Sequence, residues 1–117
     1  MIVTSSSEIK GKGIVETFGL VMGNTIKAKW IGKDLISNVR QLIGGELVEY
    51  TDMLSEAREE ALQRMIAEAK ELGANAVVDV RFTTSQVMEA AAEILAYGTA
   101  VKVKKERKKL LKKVSSK

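Results

Sequence analysis

Between residues 51 and 103 the chain spells a helix, a turn and two strands, and this run constrains its fold more than any other feature. Leu54, Ala57, Ala61, Met65, Ala69 and Leu72 recur at three- and four-residue spacing, with Leu62 beside them, which predicts an amphipathic helix over 51–72. The stripe is rich in alanine, so the helix should lie close to whatever it covers. Thr51 reads as its N-cap and Asp52 as a favourable acid in the first turn. Gly73 supplies the left-handed residue that ends it. Glu56, Glu60, Arg64 and Glu68 stand four apart along the outer face, as on a solvated helix. A strand is expected over 74–84, with Ala76, Val78, Val80 and Phe82 packed on the helix and Val77, Asp79, Arg81 and Thr83 on the opposite face. Residues 84–89 read as a hairpin and 91–103 as the returning strand, broken or bent at Gly98.

The first fifty residues are less regular. Ile2-Val3 suits a short strand and Ser5-Ser6-Ser7 a loop. Residues 9–30 are rich in Val, Ile and Thr and punctuated by Gly11, Gly13, Gly19 and Gly23, which predicts strands near 13–20 and 21–29, or one long bent strand. Thr25, Lys27 and Lys29 alternate with Ile26, Ala28 and Trp30, giving one wet face and one dry one. Leu35, Ile36, Val39, Leu42 and Ile43 predict a short helix over 34–43, with Gly44-Gly45 as its stop and 46–50 as a connector. The fold class is therefore α+β, with one long helix and one short helix against an antiparallel sheet.

Length and composition exclude several functions. A chain of 117 residues has room for one domain. It has no cysteine, which removes disulfides, thiolate metal sites and redox chemistry at sulfur. It has no histidine, so the commonest ligand for zinc, copper and nickel is missing, as is the usual general base near neutral pH. Met1–Val3 is too short for a signal peptide, and no apolar stretch approaches the ~20 residues of a transmembrane span. A soluble cytoplasmic protein is expected. Charge is unevenly placed: residues 1–101 carry ten basic and fourteen acidic side chains, whereas 102–117 carry nine basic residues and one acid, Glu106. The isoelectric point of 9.4 thus describes a tail, and the body is mildly acidic.

Several strings together resemble the YbjQ-like family of small proteins. They are Gly19-Leu20-Val21-Met22-Gly23, Lys33-Asp34-Leu35, Arg40 before Gly44-Gly45, and Tyr50. The run from Glu56-Ala57-Arg58-Glu59-Glu60-Ala61-Leu62 to Gly73-Ala74-Asn75-Ala76-Val77-Val78 and the closing Tyr97-Gly98-Thr99-Ala100-Val101 belong to the same pattern. The resemblance covers about residues 1–103, taken as one domain, and leaves 104–117 as a basic tail, helical or disordered. It implies a two-layer β-α-β-β subunit of dodecin-like type, assembled as a ring of five. Members are often labelled heavy-metal-binding. Two positions depart from the family pattern: Glu46 stands where arginine is common, and Asp79 where glycine is common. Both bear on any ligand site built from those positions.

Candidate chemistry is sparse. Met1, Met22, Met53, Met65 and Met88 are scattered and suit core filling better than a soft-metal site, although ring symmetry would bring one methionine from each subunit together. Asp52, Glu56, Glu59 and Glu60 offer oxygen ligands for calcium or magnesium but follow the pattern of an exposed helix. Gly11-Lys12-Gly13 and the 19–23 segment lack the spacing of phosphate-binding loops. Asp34, Arg40, Tyr50, Asp79 and Arg81, with Tyr97, are the polar groups worth naming, as interface or ligand contacts rather than as a reaction centre. No cofactor and no catalysis are expected. Strands carrying Val77, Val80, Leu95 and Val101 should leave bare edges and apolar surface that one helix cannot cover, so the chain is expected to pair with copies of itself. The function this predicts is a homo-oligomeric binding or scaffold protein, or a ligand or metal carrier. The alternative is recruitment to nucleic acid or an anionic membrane by the tail. In that case Lys104, Lys105, Arg107, Lys108, Lys109, Lys112 and Lys113 make the contacts, and Val103, Leu110, Leu111 and Val114 form an apolar stripe on a basic helix.

Overall fold

A computed structural model describes residues 1–28, 44–88 and 91–106, with residues 44–50 described through their backbone. Its elements are β1 (Ile2–Val3), β2 (Lys12–Ala28), α1 (Gly44–Glu71), β3 (Ala76–Met88) and β4 (Ala91–Lys105). The strands form one sheet in the order β1-β3-β4-β2. β2 and β3 both run antiparallel to β4, but β1 lies parallel to β3, so the sheet is mixed rather than purely antiparallel. Residues 34–43, predicted as a short helix, lie outside the described residues.

β2 is one continuous strand of 17 residues, and its register with β4 slips twice. Val15 and Phe18 are the extra residues, each forming a bulge that bends the strand. α1 begins at Gly44, seven residues before the expected cap, and absorbs both the predicted glycine stop and the connector. Residues 46–50 hold no proline, and Leu47, Tyr50 and Leu54 already fall at helical spacing, so nothing in the chain stops the helix there. At the other end Gly73 has φ of +91°. The Gly73 amide donates to the Lys70 carbonyl and the Ala74 amide to that of Ala69, the paired bonds of a Schellman turn.

One face of the sheet carries the main core. Ala57, Ala61, Met65 and Ala69 of α1 are fully buried against Val21, Val77, Val80, Ile94, Ala96 and Ala100. Leu54, Leu62 and Ile66 flank them, whereas Leu72, assigned to the stripe by spacing, is 45% exposed because the chain is already leaving the helix. The alanines allow the expected close approach. At Gly23 of β2 any Cβ would run into the Ala61 carbonyl and the Met65 amide.

The faces of β3 differ from the simple alternation. Val77 and Val80 pack under α1, while Ala76 and Val78 point to the opposite side, in a second cluster with Val101, Val103, Ile2 and Ile9. A register shift between Val78 and Arg81 is the cause: Asp79 and Val80 both stand opposite Gly98, and the extra residue reverses the alternation. Gly98 does not break β4. It makes room for this bulge, since a Cβ there would lie 2.8 Å from Val77 Cγ1 and 3.0 Å from the Val78 carbonyl oxygen. β3 also runs on to Met88, through most of the segment predicted as a hairpin.

Val77, Val80 and Val101 are therefore buried within the subunit, and Leu95 half-buried, so they are not the surplus apolar surface expected of them. That surface lies elsewhere. Leu20 (61% exposed), Met22 and Ile26 (62%) alternate with buried Val21, Gly23 and Thr25 along β2, on the face away from α1. Val87 and Met88 are bare at the end of β3, whose residues 81–88 are all exposed. Among the described residues no helix is long and apolar enough to cross a membrane.

Candidate functional site

The bulge at Asp79 is the most unusual piece of backbone outside glycine. Asp79 has φ of +55°, and no other described non-glycine residue has a positive φ. This left-handed region disfavours most side chains, but aspartate tolerates it because its short carboxylate bonds locally. The segment 4–7 crosses directly over it. The Asp79 amide donates to the Ser6 carbonyl and the Val80 amide to that of Thr4, each at 3.0 Å. The Ser7 hydroxyl donates to Asp79 Oδ1 at 2.8 Å, and Arg81 donates to the Ser5 carbonyl at 2.8 Å. Asp79 and Arg81 thus each hold the serine loop and do not pair with one another. The sequence read that loop as plain connection; the aspartate at a position where the family pattern has glycine was the available signal that residue 79 needs a left-handed backbone.

Beside this loop lies a groove of about 830 Å³, lined by residues 6–14 and Glu106. Gly11-Lys12-Gly13 borders it, but the charges of Lys10 and Lys12 are matched there by those of Glu8 and Glu106. A second polar cluster joins α1 to β2. Lys27 Nζ lies 3.0 Å from Glu60 Oε1, Thr25 donates to the other Glu60 oxygen at 3.2 Å, and Arg64 donates to Thr25 Oγ1 and to the Asn24 carbonyl. The hydrogen bond from Lys27 holds the Glu60 carboxyl below the usual glutamate range, with the Thr25 hydroxyl and the nearby Arg64 charge adding to the effect against partial burial. Arg64 is exposed, as predicted for a solvated outer face, and Glu60 is half-buried, yet both also act as bolts between helix and strand.

Among the candidate residues, Asp34 and Arg40 lie outside the described residues, as do Arg107, Lys108, Lys109, Lys112 and Lys113. Tyr50 falls on the backbone of α1. Tyr97 stands between Met22 and Arg81 in the strand register. Lys104 and Lys105 are exposed at the end of β4. Val103 belongs to that strand and is buried in the second cluster, which removes it from the predicted apolar stripe of the tail. Leu110, Leu111 and Val114 lie outside the described residues.

A heavy metal does not fit the donors present. The chain has neither cysteine nor histidine, and among the described residues no three acidic side chains converge to hold an ion. Asp52, Glu56 and Glu59 are exposed along α1, and Glu59 accepts from Gln63. The methionines are equally dispersed: Met65 is wholly buried in the core, whereas Met22 and Met88 are exposed on different strands.

Residues 1–104 match the family described as "Putative heavy-metal-binding", YbjQ. A UPF0145 protein of Dehalococcoides mccartyi is 57% identical over 101 residues, spanning 86% of this chain and 97% of its own. UPF0145 proteins of Methanosarcina acetivorans and Archaeoglobus fulgidus are 56% and 54% identical, over 88% and 89% of this chain and 97% and 96% of theirs. In structure the chain is similar to a protein of unknown function of the DUF74 family from Pediococcus pentosaceus. The TM-score is 0.55 at 16% identity, over 89% of this chain and 98% of that one, a likeness of fold.

Proposed function

The chain belongs to the YbjQ (UPF0145) family, and from that premise we propose that it works as a self-associating binding or scaffold protein rather than as an enzyme. The observation that carries this reading is a sheet with two unlike edges that are free among the described residues. β1 pairs with β3 at Ala76 and Val77 only, which leaves residues 81–88 of β3 without a strand partner on the side away from β4 among the described residues. Among the described residues β2 forms the other edge and pairs with β4 alone. Eight residues of open edge offer about 26 Å of unpaired backbone, and such edges are templates for strand addition. Pairing the β2 edge of one copy with the β3 edge of the next is a head-to-tail contact, which closes into a ring when the rotation allows. The exposed Leu20, Met22, Ile26, Val87 and Met88 would supply apolar burial near such joints. Five subunits follow from the family resemblance, not from this geometry.

If the assembly carries a ligand, the donors argue against a soft metal, and a cleft between subunits is the place for it. Asp79 and Arg81, tied to the serine loop, act in this reading as a structural hydrogen-bonding device. Light scattering at low and high concentration tests the assembly: a particle several times the 12.8 kDa of the chain is expected, and a monomer throughout would overturn the proposal. Metal analysis of protein purified without added metal should find well under one equivalent per chain.

A second reading concerns the tail. The family match stops at residue 104, and the relatives above align over 101–104 residues, so most of the cationic segment, from Lys105 on, lies beyond the matched domain. We propose that it recruits the protein to a polyanionic surface. Titration of the full chain against duplex DNA and anionic vesicles at two salt levels tests this, with affinity expected to fall as salt rises.

A further inference from the structure

We infer that neighbouring copies of the chain join through a parallel strand pair, β2 of one beside β3 of the next, with every α1 on the same side of a continuous sheet. The inference rests on the self-association proposed above. It adds what that reading leaves open, the direction of the joint and the face that each copy shares with its neighbour.

Direction follows from the register. Met22 stands opposite Tyr97, and Tyr97 opposite Arg81; six residues on, Ala28 stands opposite Ala91, and Ala91 opposite Met88. β2 and β3 are each antiparallel to β4, so they run the same way along the two edges of one subunit. The faces follow from burial. Val21, Gly23 and Thr25 of β2 are buried on the α1 side, so Leu20, Met22 and Ile26 face away from the helix. Thr83 and Ser85 share that far face, opposite Leu95 and Glu93 of β4. A hydrogen bond from the Asn24 amide to Glu93 Oε2, at 3.2 Å, crosses the same face. Thr84 and Gln86, opposite Ile94 and Ala92, lie on the α1 side.

An identical copy can bring its β3 edge to a β2 edge in two ways. If it keeps its strand direction it also keeps its face, and the step between copies is a rotation about an axis near the strand direction. Repeated, that step returns to its start and leaves no edge. If the copy is turned end for end, the joint is antiparallel and the faces exchange, so α1 lies above the sheet in one copy and below it in the next. That step is a screw along the row of strands, which advances without closing and always leaves two edges bare. The first arrangement alone hides both of the edges that are free among the described residues. It also suits the place of the helix. Parallel strands are ordinarily covered by helices, and α1 lies chiefly over β2 and β4, beside the joint.

The chain has no cysteine, so introduced thiols can pair only with one another. In the full chain, L20C, M22C and I26C are each combined with T83C, S85C, T84C or Q86C, all at exposed positions. Each variant is checked for native circular dichroism, sized by light scattering, oxidised and run on a non-reducing gel. β4 stands between the two thiols of a subunit, beyond disulfide reach, so a cross-link must join two copies. The parallel joint predicts covalent multimers from combinations with T83C or S85C, in a ladder that stops at one top band, and none with T84C or Q86C. Multimers from T84C or Q86C instead would overturn the parallel joint and leave self-association standing. So would dimers from S85C alone, which would pair two β3 edges, or an assembly that no combination cross-links. A monomer at every concentration would overturn the inference and the self-association together.

Discussion

Residues 76–80 of β3 lie between β4 and the N-terminal segment, β1 and then residues 4–6, with α1 over one face and Ile2 and Ile9 against the other, whereas residues 81–88 of the same strand are exposed throughout. Both halves are built from good strand formers: Val77, Val78 and Val80 in the first, Phe82, Thr83, Thr84 and Val87 in the second. Their different fates come from what covers them. α1 lies chiefly over β2 and β4, and the N-terminal segment leaves β3 after its bonds to Asp79 and Val80. The change occurs at the one residue that is both bulged and left-handed. Strand propensity alone, the comparison teaches, says where a strand runs but not which part of it remains available to another molecule.

The contrast predicts a graded set of outcomes. Met65 is the largest fully buried side chain of the core that α1 shares with Val77 and Val80 of the covered half, and Met65→Ala should cost about 3 kcal/mol in a urea titration. A loss near zero would mean that α1 does not seal the first half. At the boundary, Asp79→Val places a branched side chain in the left-handed region and removes the Ser7 bond; a loss of about 2 kcal/mol is expected, with Asp79→Gly within about 1 kcal/mol of the parent. In the bare half, Val87→Lys with Met88→Lys should leave the isolated subunit within about 0.5 kcal/mol. The same change should break the assembly in sedimentation, since lysine on an edge opposes strand addition. An assembly that survives would move the interface away from this edge.

The smallest effect concerns the bolts between α1 and β2. Because Lys27 and Thr25 hold the Glu60 carboxyl below its ordinary range, that contact contributes fully above the unfolded glutamate value of about 4.3 and is lost as pH falls through the lower folded value. Glu60→Gln should therefore lower stability slightly in the neutral region and leave the fully protonated acid end unchanged, which flattens the acid limb by the same small amount, because the pair is partly exposed and screened.

The helix stripe was legible in the sequence because Ala57, Ala61, Met65 and Ala69 repeat a helical period, and Gly73 marked its end. Its beginning was misplaced because Gly44-Gly45 and Thr51 carry start and stop chemistry that seven further helical residues override. The faces of β3 could not be read by alternation, since one extra residue at Asp79 inverts every assignment on one side of it. The serine loop was equally hidden: its bonds to Asp79 and Arg81 join residues more than seventy positions apart, a distance over which local pattern carries no information. The uneven charge of the tail, by contrast, needed no structure to be seen.

Asn75 gives the C-terminal end of β4 a mechanical character. Its side chain acts as a short surrogate strand, receiving the Val103 amide at 2.8 Å and donating to the Val103 carbonyl at 3.0 Å, and the Glu106 amide is tethered to Gly11 just beyond. A tug on the last eleven residues is thus met by a double stitch and a tie-off before it can reach the core.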